Sequence, residues 1–271
     1  MNRGTYCGDD AEKQFVKRFN NNKNDNDFDL YIKNCNVESI DDIYMVRVNT
    51  KQYSKLSNQV VMTRADTYLI ESKDVVLKQL LFDNDYYLDE KMLFNGHIKY
   101  SPVKYSGISV KMSDSDRFQI LKLTPDSFKT LFGNYELGAG ASVYCLREEE
   151  IEKNTDVLKG WKTNKNDFIN FFSEDLPIVN DLNKDISIIE QMEIFKAIKE
   201  LSNNKIKELV DGNKKIQEIV FNGYHIYDEP YSASHFYHGG IITELNYIPF
   251  TVTTGSGRSK GTFTIVFKPK K

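Results

Sequence analysis

The sequence predicts a mixed α/β fold, a mixed sheet flanked by helices with a β-rich C-terminal extension. Three observations predict it. Ile43 to Val48 and Gln59 to Ile70 concentrate β-branched and aromatic residues. Ala11, Phe15, Val16 and Phe19 recur at helical spacing, as do Ile188, Met192, Phe195 and Ile198. Roughly the last fifty residues alternate strand-like runs with glycine turns.

Asp9 or Asp10 is suited to cap the first helix, and the asparagine-rich run from Asn20 to Asn26 stops it. The two early strands follow. A polar insertion from Glu71 to Tyr105 carries a short helix at Asp74 to Phe82. After a Ser-Gly turn comes the strand Gly107-Ile-Ser-Val-Lys111, in which Ile108 and Val110 face one way while Ser109 and Lys111 face the other. Ile120 to Leu123 reads as a further strand, and Pro125 starts a helix carrying Phe128 and Leu131.

Beyond Gly133 a Gly-Ala-Gly-Ala turn, a strand at Ser142 to Leu146 and an acidic helix start near Glu148 are expected. The long helical pattern from Ile188 to Val210 stops at Gly212. Turns at Gly239-Gly240 and Gly255 to Gly261 punctuate the remainder. No internal repeat or Pro- or Ser-rich linker is visible. The expected division is residues 1–135 as one half and 136–271 as the other, within one domain or two.

With 271 residues, 40% hydrophobic and 13% aromatic, the chain is long and apolar enough to bury a core. No window approaches the ~18 apolar residues of a membrane span, and MNRGTYCGDD lacks a signal-peptide core, so the expected location is the cytoplasm. Cys7, Cys35 and Cys145 are too scattered for a disulfide framework or a CxxC metal site, and reduced, mostly buried thiols are expected. A net charge of −3 argues against a generic, charge-driven nucleic-acid coat, but leaves room for an enzyme with positive charge confined to a cleft. From Thr251 onward the chain carries Arg258, Lys260, Lys268, Lys270 and Lys271 and no acidic residue.

The informative segments are Thr63-Arg-Ala-Asp-Thr-Tyr-Leu-Ile70 and Gly107-Ile-Ser-Val-Lys-Met112. One places an acid on a strand; the other places a polar-x-Lys triplet on the next strand. Together with a helix carrying Glu12 before them and a helix after Pro125, they resemble the PD-(D/E)xK nuclease superfamily and its αβββαβ core, over roughly the first half of the chain. Within that superfamily the resemblance is to type II restriction endonucleases.

The resemblance implies a restriction-endonuclease-like sheet, double-stranded DNA as substrate and Mg²⁺ as cofactor. Its implied catalytic residues are Asp66, Lys111, Ser109 and Glu12, and its metal contacts Asp66, Glu12 and Val110. Phosphodiester hydrolysis calls for hard oxygen ligands on a cation, an in-line water and positive charge for the pentavalent centre. Asp66 would supply the first carboxylate, and Lys111 would orient or help deprotonate the water. Ser109 departs from the pattern, which normally offers Glu or Asp there; Glu12, or failing that Glu71, would supply the missing charge. Gln119 and Lys122 are candidates for DNA phosphate, and Arg258 and Lys260 on a basic hairpin for a groove, where arginine can donate twice to guanine.

Each residue also has a plain structural role open to it, as a strand cap, a solvated helix face or a backbone-bonded hydroxyl. His235 and His238 have no further ligands at zinc spacing, and Gly255 to Gly261 lacks the Gly-Lys-Ser/Thr ending of a phosphate loop. No G-x-S-x-G elbow or kinase signature occurs. Cutting both strands in register is most simply met by a homodimer on a palindromic site, with a monomer cutting sequentially as the alternative. The rival reading is a catalytically inactive DNA-binding module of the same fold; a third is a repair or RNA-processing nuclease.

Overall fold

A computed structural model describes residues 3–37, 39–56, 59–111, 118–254 and 263–270. The chain folds as two compact units, residues 1–116 with 221–247 and residues 117–220 with 248–271. The compact units therefore do not divide at residue 135. The expected C-terminal half is interleaved with the first unit, because residues 221–247 return to it.

The elements run α1 (Arg3–Asn21), α2 (Asn26–Asn34), β1 (Ile43–Arg47), β2 (Lys51–Tyr53), β3 (Val60–Met62), β4 (Thr67–Glu71), α3 (Val75–Asp83), α4 (Glu90–Asn95), β5 (Ser101–Pro102) and β6 (Ile108–Val110). There follow β7 (Leu121–Leu123), α5 (Pro125–Phe132), α6 (Glu136–Ser142), a 3-10 turn (Glu148–Lys153), α7 (Asn154–Gly160), α8 (Lys165–Ser173), a second 3-10 turn (Pro177–Asn183), α9 (Ile188–Asp211) and α10 (Lys214–Phe221). The chain ends with β8 (His235–His238), β9 (Ile241–Glu244), β10 (Phe250–Thr254) and β11 (Ile265–Pro269).

In the first unit the sheet order is β1-β4-β6-β8-β9, with β5 on β4. β1 with β4, β4 with β6 and β8 with β9 are antiparallel, whereas β6 and β8 are parallel. A parallel pair needs a long crossover. Here it contains most of the second unit, and residues 222–234 then lead from α10 to β8. The helix after Pro125, expected to complete the core, belongs instead to the second unit, as does nearly all of α10.

Alternation along the strands builds two cores on the sheet's two faces. Ile43, Met45, Leu69, Ile108 and Val110 pack beneath Phe15, Val16 and Phe19 of α1 and Phe28 and Tyr31 of α2. Tyr44, Val46, Tyr68 and Ile70 pack against Leu77 and Leu81 of α3 and Leu93 of α4. Asn20 pins α1 to β1: its amide donates to Met45 O at 2.9 Å and accepts from Met45 N at 2.8 Å. Losing it would strand a buried backbone pair at about 1–3 kcal/mol. The run expected as one strand from Gln59 to Ile70 is broken at residues 63–66, so β3 pairs only with β2 as a separate ribbon.

The second unit packs α6 under α8 and α9 and carries the three-stranded sheet β10-β11-β7. Its largest departure from expectation is α6. The Gly-Ala-Gly-Ala segment is helical and buried, and no strand forms at Ser142 to Leu146. The glycines are there for clearance rather than for turning: a Cβ on Gly138 would sit 2.1 Å from Trp161 Cζ3, and one on Gly140 would sit 2.3 Å from Ser202 Oγ. The long α9 has the expected extent, opened by a capping box between Ser187 and Glu190. Gly255 to Gly261, with Arg258 and Lys260, lies outside the described residues. Among the described residues no helix is long and apolar enough to cross a membrane, and Cys35 and Cys145 are buried and free.

Candidate active site

Asp66 stands just before β4, where three strands converge. Its backbone N–H donates to Ile108 O at 2.8 Å and its carbonyl accepts Val48 N–H at 2.9 Å. The two preceding amides, of Arg64 and Ala65, both donate to Tyr231 O. Gly107 permits this crowding, since a Cβ there would lie 1.9 Å from Ser232 O. The main chain thus fixes Asp66 before its side chain does anything.

The carboxylate is fixed as firmly. Val110 N–H donates to Asp66 Oδ2 at 2.7 Å, and Ser109 Oγ donates to the same oxygen at 3.3 Å. Lys111 Nζ lies 3.7 Å from Oδ2 and donates to Ser109 Oγ at 2.7 Å. Lys111 and Ser109 share a face of β6, as alternation requires, while Ile108 and Val110 enter the core. Burial pushes the Lys111 ammonium below its ordinary value and the positive charge of Arg64 adds to this, with Asp66 and Glu12 opposing. An amine so placed gives up its proton more readily than a surface lysine.

Glu12 comes to the same place from α1. It lines a cleft of about 260 Å³ together with Asp9, Arg47, Met62, Thr63 and Asp66. Arg47, at the end of β1, donates from Nε to Glu12 Oε2 at 2.7 Å and from Nη2 to Asp9. Despite that partner the Glu12 carboxyl is raised above its ordinary value, first by burial and then by the negative charge of Asp66. Asp9, Glu12 and Asp66 thus bring three carboxylates to the cleft that Arg47 also lines.

Of the residues singled out in the sequence, Asp66, Ser109, Lys111 and Glu12 are brought together; Val110 joins through its amide. Glu71 is exposed and borders a different cavity, with Ser101 and Lys73. Gln119 and Lys122 are exposed and belong to the second unit, not to the unit that holds Asp66. Two cations were missed. Arg47 could have been found from strand alternation, which puts it on the α1 side with Ile43 and Met45. Arg64 stands two residues before Asp66; burial lowers its guanidinium to about 10, and it donates to Phe221 O.

Among the described residues no group of three or more His, Cys, Asp or Glu side chains is arranged to hold a metal ion. Three carboxylates, of Asp9, Glu12 and Asp66, line the cleft, Asp9 being paired with Arg47; carboxylates suit Mg²⁺, which is commonly held by one or two of them with substrate phosphates and water. Val110, with an apolar side chain, could reach such an ion only through its carbonyl oxygen. No protein-family model matches the chain, and no curated protein matches it.

Proposed function

We propose that the chain is a Mg²⁺-dependent, site-specific endonuclease for double-stranded DNA, of the PD-(D/E)xK type found among type II restriction enzymes. The observation that carries this reading is the 3.7 Å approach of Lys111 Nζ to the Asp66 carboxylate, beside a cleft shared with Glu12. The order α1, β1, β4, β6, β8 in the first unit, with β6 and β8 parallel, also supports it.

Asp66 and Glu12 would hold the cation. When bound, it would supply Lewis acidity at the scissile phosphate and a more acidic water. Lys111 carries the rest: Nζ accepts or orients the proton of the attacking water and, when charged, offsets charge on the pentavalent phosphorus. Ser109 holds Nζ in position by accepting its hydrogen bond. Arg47 holds the Glu12 carboxylate toward the cleft. A homodimer would cut both strands of a palindromic site.

Purified protein incubated with phage DNA and Mg²⁺ should give discrete fragments, and Lys111→Ala should abolish them. Binding without cleavage in any divalent ion would instead favour the DNA-binding module without activity. Ser109, a neutral hydroxyl where the pattern offers a carboxylate, is the observation on that side.

A further inference from the structure

The ribbon of β2 and β3 pairs with no other strand among the described residues. An isolated two-stranded ribbon is marginal in water unless something holds it. Its base is held firmly. Asn49 and Thr50 N–H groups donate to Glu90 Oε2 at 2.6 and 2.7 Å, and Tyr227 Oη donates to Met62 O at 3.1 Å. In the turn beyond β2, Lys55 pairs with Asp228 at 2.8 Å.

One face of the ribbon is open. The register sets Lys51 opposite Met62 and Tyr53 opposite Val60, so all four side chains share a face. Tyr53 is 72% exposed, Met62 60% and Val60 52%, while Gln52 and Val61 on the other face are half-buried. Lys51 has no ion pair among the described residues. An exposed apolar patch carried on an anchored arm gains nothing for the fold and marks a contact surface.

The patch is continuous with the candidate cleft. Met62 belongs to both, and Asp66 follows four residues later, its carbonyl bonded to Val48 at the ribbon's other stem. Met62 thus puts this face at the edge of the cleft that Asp66 lines. The major groove, about 12 Å wide, admits a two-stranded β-ribbon, and its thymine methyls accept apolar contacts.

We infer that the open face formed by Lys51, Tyr53, Val60 and Met62 is a DNA-groove contact that seats the duplex against the cleft, with Lys51 on phosphate and the other three on base edges. This rests on the nuclease reading of that cleft.

The test measures binding of a fluorescein-labelled duplex by anisotropy, without divalent ions, over a series of salt concentrations. Lys51→Ala should lower the slope of log affinity against log salt by about one, and Tyr53→Ala with Met62→Ala should weaken binding about tenfold with the slope unchanged. Thermal melting of each variant should match the parent, because the residues are exposed. If the parent binds and all variants keep its affinity and slope, the groove contact is overturned while the nuclease reading stands. If the variants convert a dimer to a monomer in sedimentation with duplex affinity retained, the face is a protein interface and the inference is likewise overturned. If the parent neither binds nor cuts any duplex, both fall.

Discussion

The Val110 amide donates to Asp66 Oδ2 at 2.7 Å, so β6, which leads straight into Lys111, also aims the carboxylate that lies 3.7 Å from Lys111 Nζ. With the Asp66 N–H bond to Ile108 O and the Ser109 hydroxyl on the same carboxylate oxygen, this contact couples the two halves of the candidate centre. Asp66 also lines the cleft with Glu12.

Glu12 sets a pH dependence. Its carboxyl titrates above the ordinary 4.5 in the folded chain. A raised folded value contributes stability that is full below the unfolded value and is lost as pH rises through the folded one. Glu12→Gln is therefore expected to melt higher than the parent at pH 7 and at the same temperature near pH 4. Calorimetry at the two pH values checks this, and Mg²⁺ should raise the melting temperature of the parent at pH 7 but not that of the variant.

His235 should make the first unit acid-sensitive. It is buried on β8 with neither ring nitrogen hydrogen-bonded among the described residues, and burial holds it below its ordinary 6.5, with Glu244 opposing. The unfolded chain takes up the proton first, so stability is full above the unfolded value and falls as pH drops toward the folded one. The loss is at most about 1.4 kcal/mol per pH unit. His235→Phe should flatten it in urea titrations at pH 7.5 and 5.5; an unchanged loss would assign the acid sensitivity elsewhere.

Gly138→Ala should destabilise the second unit. Alanine gains about 0.5–1 kcal/mol of helix propensity, but its methyl would meet Trp161 at 2.1 Å, and overpacking costs about 1–3 kcal/mol. The clash outweighs the propensity. Trp161 is the only tryptophan and is fully buried, so its fluorescence reports both the shift in the unfolding midpoint and any repacking of the ring.

The first unit's sheet was legible where side chains alternate. Ile108 and Val110 against Ser109 and Lys111 needed only the strand period, and Asp74 and Pro125 mark helix starts by their own chemistry. What could not be read was long-range. Nothing in residues 221–247 says that they return to pair β8 with β6, because that parallel ladder depends on a crossover rather than on local pattern. α6 was misread because glycine weakens a helix locally, and only the rings of Trp161 and Phe172 explain why it is required. At the site, Asp66 and Lys111 were visible as residue types at strands, and alternation alone would put Arg47 on the α1 side of β1; only its pairing with Glu12 required knowing how α1 lies over β1.

Cleavage by three proteins tests the central claim most directly: the parent, Asp66→Asn and Lys111→Ala, each incubated with phage DNA and Mg²⁺ and followed by gel electrophoresis. The account predicts discrete fragments from the parent and a loss of at least about 10²-fold in rate for each variant, with duplex binding retained. Fragments of undiminished yield from both variants would contradict it.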